Sequence, residues 1–310
     1  MGEQCGLAVP ALTGVHAAIV CPMRADGTIE IDDLVRHARA VGGTPGIAGY
    51  LVNGHAGEGH LLAPEEKRRV IAAVRDAVAA HHHIAAGVSA EATDSACREA
   101  EAAAAAGADS VLVFPPSHWS RGVDADSVVA HHRAVAAAAG LPVVVYRAPL
   151  AWGPLSYAPD LIARLVEIEA VAAIKEGSWD VAPYEEVWRL VKSRAPRVSV
   201  LASGDEHLLA CFQVGTDGSQ VSLAALFPDL VCDLYAAARS GDWARARMLH
   251  DRVDPPASAI YRRPPAHMAT ARLKAGLQML GRIGSDRVKR PGRELDAAER
   301  AALEGVLRAG

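Results

Sequence analysis

An excess of charge of either sign is the first thing missing from this chain: its 310 residues carry 32 Lys and Arg against 36 Asp and Glu, a formal net charge of -4. Binding a phosphate backbone needs a basic face, so no nucleic-acid partner is expected. Long apolar runs are also absent. Gly, Pro or a charged residue interrupts every candidate before it reaches the roughly 18 residues of a membrane span, so no membrane partner is expected either. Residues 1–14 show no basic region followed by an apolar stretch, and Met1-Gly2 is not followed by Ser or Thr at position 6. Neither export nor myristoylation is indicated, and a cytoplasmic location is expected. The five cysteines (Cys5, Cys21, Cys97, Cys211, Cys232) are odd in number, far apart and never in a C-x-x-C pair. That spacing argues against a disulfide framework and a thiolate zinc site, and leaves reduced, mostly buried thiols as the expectation. Nucleotide motifs are missing as well. There is no G-x-x-x-x-G-K-[ST], and Gly54-His-Ala-Gly57-Glu-Gly59 carries its glycines in the reverse order of a dinucleotide fingerprint.

What is present is a sequence 51% hydrophobic and 22% charged, the composition of a soluble globular protein able to bury a large core. From residue 15 to about 240, short apolar runs alternate with longer Ala-rich amphipathic stretches, the mark of βαβ units and a parallel sheet. The strands predicted are Val15–Val20, Ile47–Val52, Ile84–Val88, Ser110–Phe114, Pro142–Tyr146, Ala170–Ile174, Val198–Ala202 and Gly218–Leu223. Asp32 and Asp33, Pro64-Glu65-Glu66 and Asp124 to Asp126 read as helix starts, and Gly107 and Gly140 as helix ends. Eight rounds fit a (β/α)8 TIM barrel better than a doubly wound sheet, which has fewer strands and a Gly-rich phosphate turn after the first. Beyond residue 240, Trp243–Arg252, His267–Leu280 and Asp296–Leu307 read as helices without strands between them. The expected organisation is therefore a barrel over 1–240 and a C-terminal helical extension over 241–310.

In such a barrel the chemistry gathers at the C-terminal ends of the strands. Lys175 closes strand six in Val171-Ala-Ala-Ile-Lys-Glu-Gly, and Tyr146 closes strand five in Val143-Val-Val-Tyr, so neighbouring strands bring both to one mouth. A lysine at the inner end of a buried strand is poorly solvated, which lowers its pKa and makes a neutral amine available to attack a carbonyl. The bland alternative is a lysine that snorkels to the rim or pairs with Glu176 or Asp205. Tyr146 is either a rim aromatic or a phenol relaying protons around an imine.

Gly54-His-Ala-Gly57-Glu58, Tyr146-Arg-Ala-Pro149, Ile174-Lys175-Glu176 and Ser203-Gly204-Asp205 follow strands two, five, six and seven. In order and spacing they resemble the motifs of the dihydrodipicolinate synthase / N-acetylneuraminate lyase family, and the likeness extends from Pro22 and Gly27 to Lys289-Arg-Pro291. The resemblance implies a class I aldolase or lyase that binds pyruvate, or the pyruvyl part of a 2-keto acid, as an imine on Lys175 with Tyr146 as proton-relay phenol. It needs no cofactor and no metal. The resemblance also implies that His55, Ala56 and Gly57 hold the keto-acid carboxylate, and that the protein is a homotetramer built as a dimer of dimers. Gly204, Ser117 and Gln220 complete the expected substrate-binding set, Gln220 as an inward amide or a residue facing a loop.

Departures from the pattern point away from the synthase reaction. Both hydroxyls of the family's carboxylate loop are replaced, by His55 and Ala56, and Phe114-Pro-Pro-Ser117-His-Trp stands where synthases place a tyrosine pair. The arginine that anchors the aldehyde substrate's carboxylate in synthases aligns near Ala151, and Arg147 is expected to face away because it follows an inward residue. His55 would serve as a carboxylate donor or as a general acid. Cleavage, condensation or dehydration involving a 2-keto-3-deoxy sugar acid is thus preferred. The alternatives are 4-hydroxy-tetrahydrodipicolinate synthase and a binding or regulatory homologue. A metal-dependent barrel hydrolase is disfavoured despite thirteen histidines, because His81-His82-His83 precedes strand three and no His-x-His closes strand one.

Overall fold

The structure, a computed structural model, describes residues 11–309. Its strands are β1 (Gly14–Ala18), β2 (Ile47–Val52), β3 (His83–Val88), β4 (Ser110–Val113), β5 (Val143–Arg147), β6 (Val171–Glu176), β7 (Ser199–Ala202) and β8 (Gly218–Val221). They pair in parallel in chain order, and β8 returns to β1 to close the barrel. These are the eight strands predicted, with ends shifted by one or two residues. A barrel strand is covered on both faces, by side chains filling the lumen and by the outer helices, so it reads as an uninterrupted apolar run such as Val143-Val-Val. Cys21, Cys211 and Cys232 are buried and free and Cys97 is half-buried, whereas Cys5 lies outside the described residues.

The helices alternate with the strands: α1 (Ile31–Gly42), α2 (Pro64–Ala77), α3 (Thr93–Ala105), α4 (Ala125–Ala139), α5 (Pro159–Leu165), α6 (Val181–Arg194), α7 (Leu208–Val214), α8 (Leu223–Leu226) and α9 (Pro228–Arg239). Asp124 caps α4, its carboxylate accepting from the Ser127 N–H at 2.8 Å, and Gly140 ends it in the left-handed conformation. Asp32 and Asp33 open α1 from within its first turn, where they favour the positive end of the helix dipole.

After β8 and its helices come α10 (Trp243–Ala257), α11 (Ala269–Met279) and α12 (Ala297–Ala309), at the places expected for helices in the C-terminal stretch. One buried apolar cluster runs from Leu12 through the barrel to Leu303 in α12. A polar clasp joins the loop after β2 to these last helices. Lys274 of α11 is wholly buried, pairs with Glu58 and donates to the Arg287 carbonyl at 2.8 Å. The second oxygen of Glu58 accepts from the Lys289 N–H at 2.7 Å, and the Lys289 ammonium reaches Glu66 at 2.6 Å. Removing one partner of a buried ion pair strands the other charge away from water. Lys274→Met is expected to lower stability by about 3–5 kcal/mol, read as an earlier midpoint in urea unfolding. An unchanged midpoint would show that the clasp contributes nothing.

Candidate active site

Parallel pairing of β5 with β6 places Tyr146 against Lys175 and Arg147 against Glu176. The first pair faces the lumen and the second faces the helices. Arg147 is 3% exposed and donates to Glu176 at 2.7 Å, to the Tyr157 carbonyl at 3.1 Å and to the Pro183 carbonyl at 3.2 Å. The outward orientation expected of it is thus observed, and Glu176 is engaged there instead of with the lysine. Lys175 makes no ion pair within 4 Å among the described residues. Burial lowers its pKa to about 8, against an opposing pull from Asp205. Its ammonium nitrogen lies 5.6 Å from the centre of the Tyr146 ring, and burial together with the Glu176 charge raises the phenol above its ordinary range. Gly177 lets the chain leave β6 this close to Tyr146: a Cβ there would stand 2.7 Å from the Arg147 carbonyl.

The loop after β2 is bracketed by two residues in the left-handed region, Asn53 and Glu58. Inside it the Glu58 N–H donates to the His55 carbonyl and the Gly59 N–H to the Gly54 carbonyl, both at 3.0 Å. The N–H groups of His55, Ala56 and Gly57 meet no protein acceptor among the described residues, and those of His55 and Ala56 belong to residues on the cavity wall, where an anion can reach them. The His55 ring packs against Phe114, Tyr146 and Trp152 at centroid distances of 4.4, 5.4 and 5.5 Å. Burial, with the Lys175 charge added, lowers its pKa to about 3. A neutral imidazole suits hydrogen-bond donation and not general-acid duty in the free enzyme.

A cavity of about 520 Å³ opens over Lys175 and Tyr146, and His55, Ala56, Ser117 and Gln220 line it as well. Gly57 and Gly204 are not on its wall, whereas Ser203 and Asp205 on either side of Gly204 are. Gln220 points inward, and neither its amide nitrogen nor its amide oxygen has a partner among the described residues. Burial pushes the Asp205 carboxyl up to about 7. Of the segment after β4, Ser117 reaches the cavity and its N–H donates to Glu91 at 2.9 Å. His118 also turns to Glu91, and Trp119 is buried beside His131. Among the lining residues that sequence reasoning missed are Trp152, Ser222, Tyr261 and Thr270. The last two come from the helices beyond β8, where no strand-end rule applied.

The profile of the Dihydrodipicolinate synthetase family matches residues 11–310. The chain belongs to this family. An uncharacterized DapA-like lyase of Halobacterium salinarum is 36% identical over 296 residues, spanning 96% of this chain and 93% of that protein. A 4-hydroxy-tetrahydrodipicolinate synthase of Neisseria meningitidis is 32% identical over 301 residues, 96% of this chain and 98% of that one. The crystal structure of a dihydrodipicolinate synthase from Bacillus anthracis superposes with a TM-score of 0.87 at 25% identity, covering 97% of this chain and 99% of that chain. As a dihydrodipicolinate synthetase family member the protein is an enzyme, a lyase of the class I aldolase type, as its motifs led us to expect. No helix among the described residues is long and apolar enough to cross a membrane.

With the Lys175 amine near 8, its neutral fraction grows about tenfold per pH unit below that value and saturates above it. Labelling of Lys175 by an amine-acylating reagent, mapped by peptide mass spectrometry, should therefore level off by about pH 9. Labelling that keeps climbing to pH 10 and beyond would mean that the amine is solvated.

Proposed function

We propose that this family lyase works through an imine between Lys175 and the 2-keto group of pyruvate, or of a longer 2-keto acid. The observation that carries the reading is a desolvated lysine without an ion partner, set against a buried phenol in a cavity of substrate size. The neutral amine attacks C2, the carbinolamine loses water, and the resulting iminium withdraws electrons from the bond next to it. Tyr146 gives and takes the protons of carbinolamine formation and collapse. The N–H groups of His55, Ala56 and Gly57 hold the carboxylate, with the His55 imidazole as a further donor. All the chemistry comes from side chains and backbone, so neither a metal nor an organic cofactor enters.

The cavity lining carries both aromatic and polar side chains, and these indicate the partner half of the substrate. His55, Phe114, Tyr146 and Trp152 are the aromatic group, while Ser203, Asp205, Gln220, Ser222 and Tyr261 are the polar one. A chain with both hydroxyls and C–H groups fits such a lining, which favours a 2-keto-3-deoxy sugar acid. Relatives named as synthases keep condensation with aspartate semialdehyde as the second reading. Against it, no arginine lines the cavity among the described residues, and Arg147 is committed to Glu176. An unmatched carboxylate in such a pocket costs on the order of several kcal/mol. We infer a cytoplasmic homotetramer on the strength of the family likeness.

Borohydride with pyruvate should add a single reduced adduct to the wild-type chain and none to Lys175→Ala, read by intact mass; equal labelling of both would refute the imine. Tyr146→Phe should keep the fold and lose about 10²-fold or more in turnover. For the partner, steady-state rates with keto-deoxy sugar acids should exceed those with pyruvate plus aspartate semialdehyde. A synthase kcat/KM above about 10⁴ M⁻¹s⁻¹ would reverse the order of the two readings.

A further inference from the structure

We propose that Tyr261 is a second catalytic acid-base residue of this site, exchanging protons with the hydroxyl on the partner half of the substrate, with Asp205 and Ser222 as its positioning residues. The inference rests on the imine reading above and extends it to the bond that is made or broken.

Tyr261 sits in a π-helical turn, Ser258–Arg262, that follows Pro255 and Pro256 at the end of α10. The prolines have no N–H to donate, and widened turns of this kind recur at functional sites. This one delivers the phenol to the cavity that holds Lys175. There the Tyr261 hydroxyl lies 2.6 Å from the Ser222 hydroxyl, and the Asp205 carboxylate lies beside the same phenol. The Leu223 N–H fixes Asp205 by donating to its Oδ1 at 2.6 Å. All three side chains line the cavity. Round the barrel, Tyr146 on β5 stands on one side of Lys175 on β6, while Asp205 and Ser222 follow β7 and β8 on the other. The two phenols therefore flank the amine, one placed to serve the imine and the other the far end of the substrate.

A tyrosine that merely fastened α10 to the barrel would not need a buried carboxylate beside it, and burying a carboxylate is costly without a compensating interaction. The charged and titratable groups facing Asp205 are Glu206 on its own turn, Lys175 from β6 and Tyr261 from the end of α10. Burial first, and Glu206 in addition, bring the carboxyl to about 7, where it takes up and releases a proton near neutrality. In the cleavage direction the C4 hydroxyl of the substrate passes its proton to the Tyr261 oxygen as the Tyr261 proton moves to Asp205. The O–H electron pair becomes the second bond of the aldehyde carbonyl. The C3–C4 bond breaks, and its electrons flow into the Lys175 iminium to leave an enamine. Nothing is oxidised or reduced, and condensation is the same path reversed.

Borohydride trapping of pyruvate and exchange of its methyl protons in D2O involve only the imine end, so they separate this inference from the reading beneath it. The probe for the far end is 2-keto-3-deoxygluconate, with pyruvate release coupled to lactate dehydrogenase. Tyr261→Phe should trap and exchange pyruvate within about twofold of wild type, yet lose about 10²-fold in cleavage kcat. Asp205→Asn should abolish the acidic limb near pH 7 in the kcat profile of wild type. Cleavage by Tyr261→Phe within about threefold of wild type would overturn the proposal. So would parallel loss of trapping and cleavage, the mark of a structural role, or a wild type that traps pyruvate but does not cleave the probe. A wild type that traps no pyruvate would instead refute the imine reading itself.

Discussion

The parallel register between β5 and β6 is the constraint on which the rest of the site depends. It sets Tyr146 against Lys175 inside the barrel and Arg147 against Glu176 outside it. A slip of one residue would exchange the two faces, putting Arg147 and Glu176 in the cavity and the lysine among the helices. The outer pair resists that slip. Arg147 and Glu176 are 3% and 2% exposed, and the guanidinium is also held by carbonyls before α5 and in α6, so moving either charge would leave the other buried and unpaired. The salt bridge that takes no part in the chemistry therefore aims the residues that can.

Burial then acts on the titratable groups around Lys175 in the same sense, towards the neutral form. It lowers Lys175 to about 8 and His55 to about 3, and it raises Asp205 to about 7 and Tyr146 beyond its usual range. A 2-keto acid bound as an iminium, as proposed above, would bring its own positive and negative centres, and for the negative one the N–H groups of His55 and Ala56 at the cavity wall have no protein acceptor among the described residues. Donors that need no reorganisation are the ones that stabilise a transition state most.

The C-terminal helices take part in this arrangement and do not merely cover the barrel. Lys274 clasps Glu58 at the end of the carboxylate loop, the Thr270 hydroxyl donates to the His55 carbonyl at 3.3 Å, and Tyr261 enters the cavity from the far wall. The loop after β2 thus has one anchor in the barrel and another more than 200 residues along the chain, since Glu58 and Lys274 are 216 positions apart. A loop held at both ends can carry left-handed residues at Asn53 and Glu58 without relaxing.

Periodicity within the chain determined the eight strands, the barrel, the placing of Lys175 and Tyr146 at one mouth and the outward turn of Arg147, because each depends on near neighbours alternating between two faces. The three helices past residue 240 were legible for the same reason. Which side of those helices would meet the cavity was not, since a helix can be rotated about its axis without changing its pattern of apolar residues enough to tell. The Glu58–Lys274 clasp was therefore invisible, and Tyr261 was missed because the predicted helix stops at Arg252, ahead of Pro255 and Pro256, whereas α10 runs through both prolines into the turn that carries it. Loop residues escaped in a different way: Gly204 was read as part of the substrate-binding set and is off the cavity wall, because a loop has no period to say which way its residues turn. Local sequence determined what each segment is, and only closure of the barrel against its last helices decided which distant side chains share one cavity.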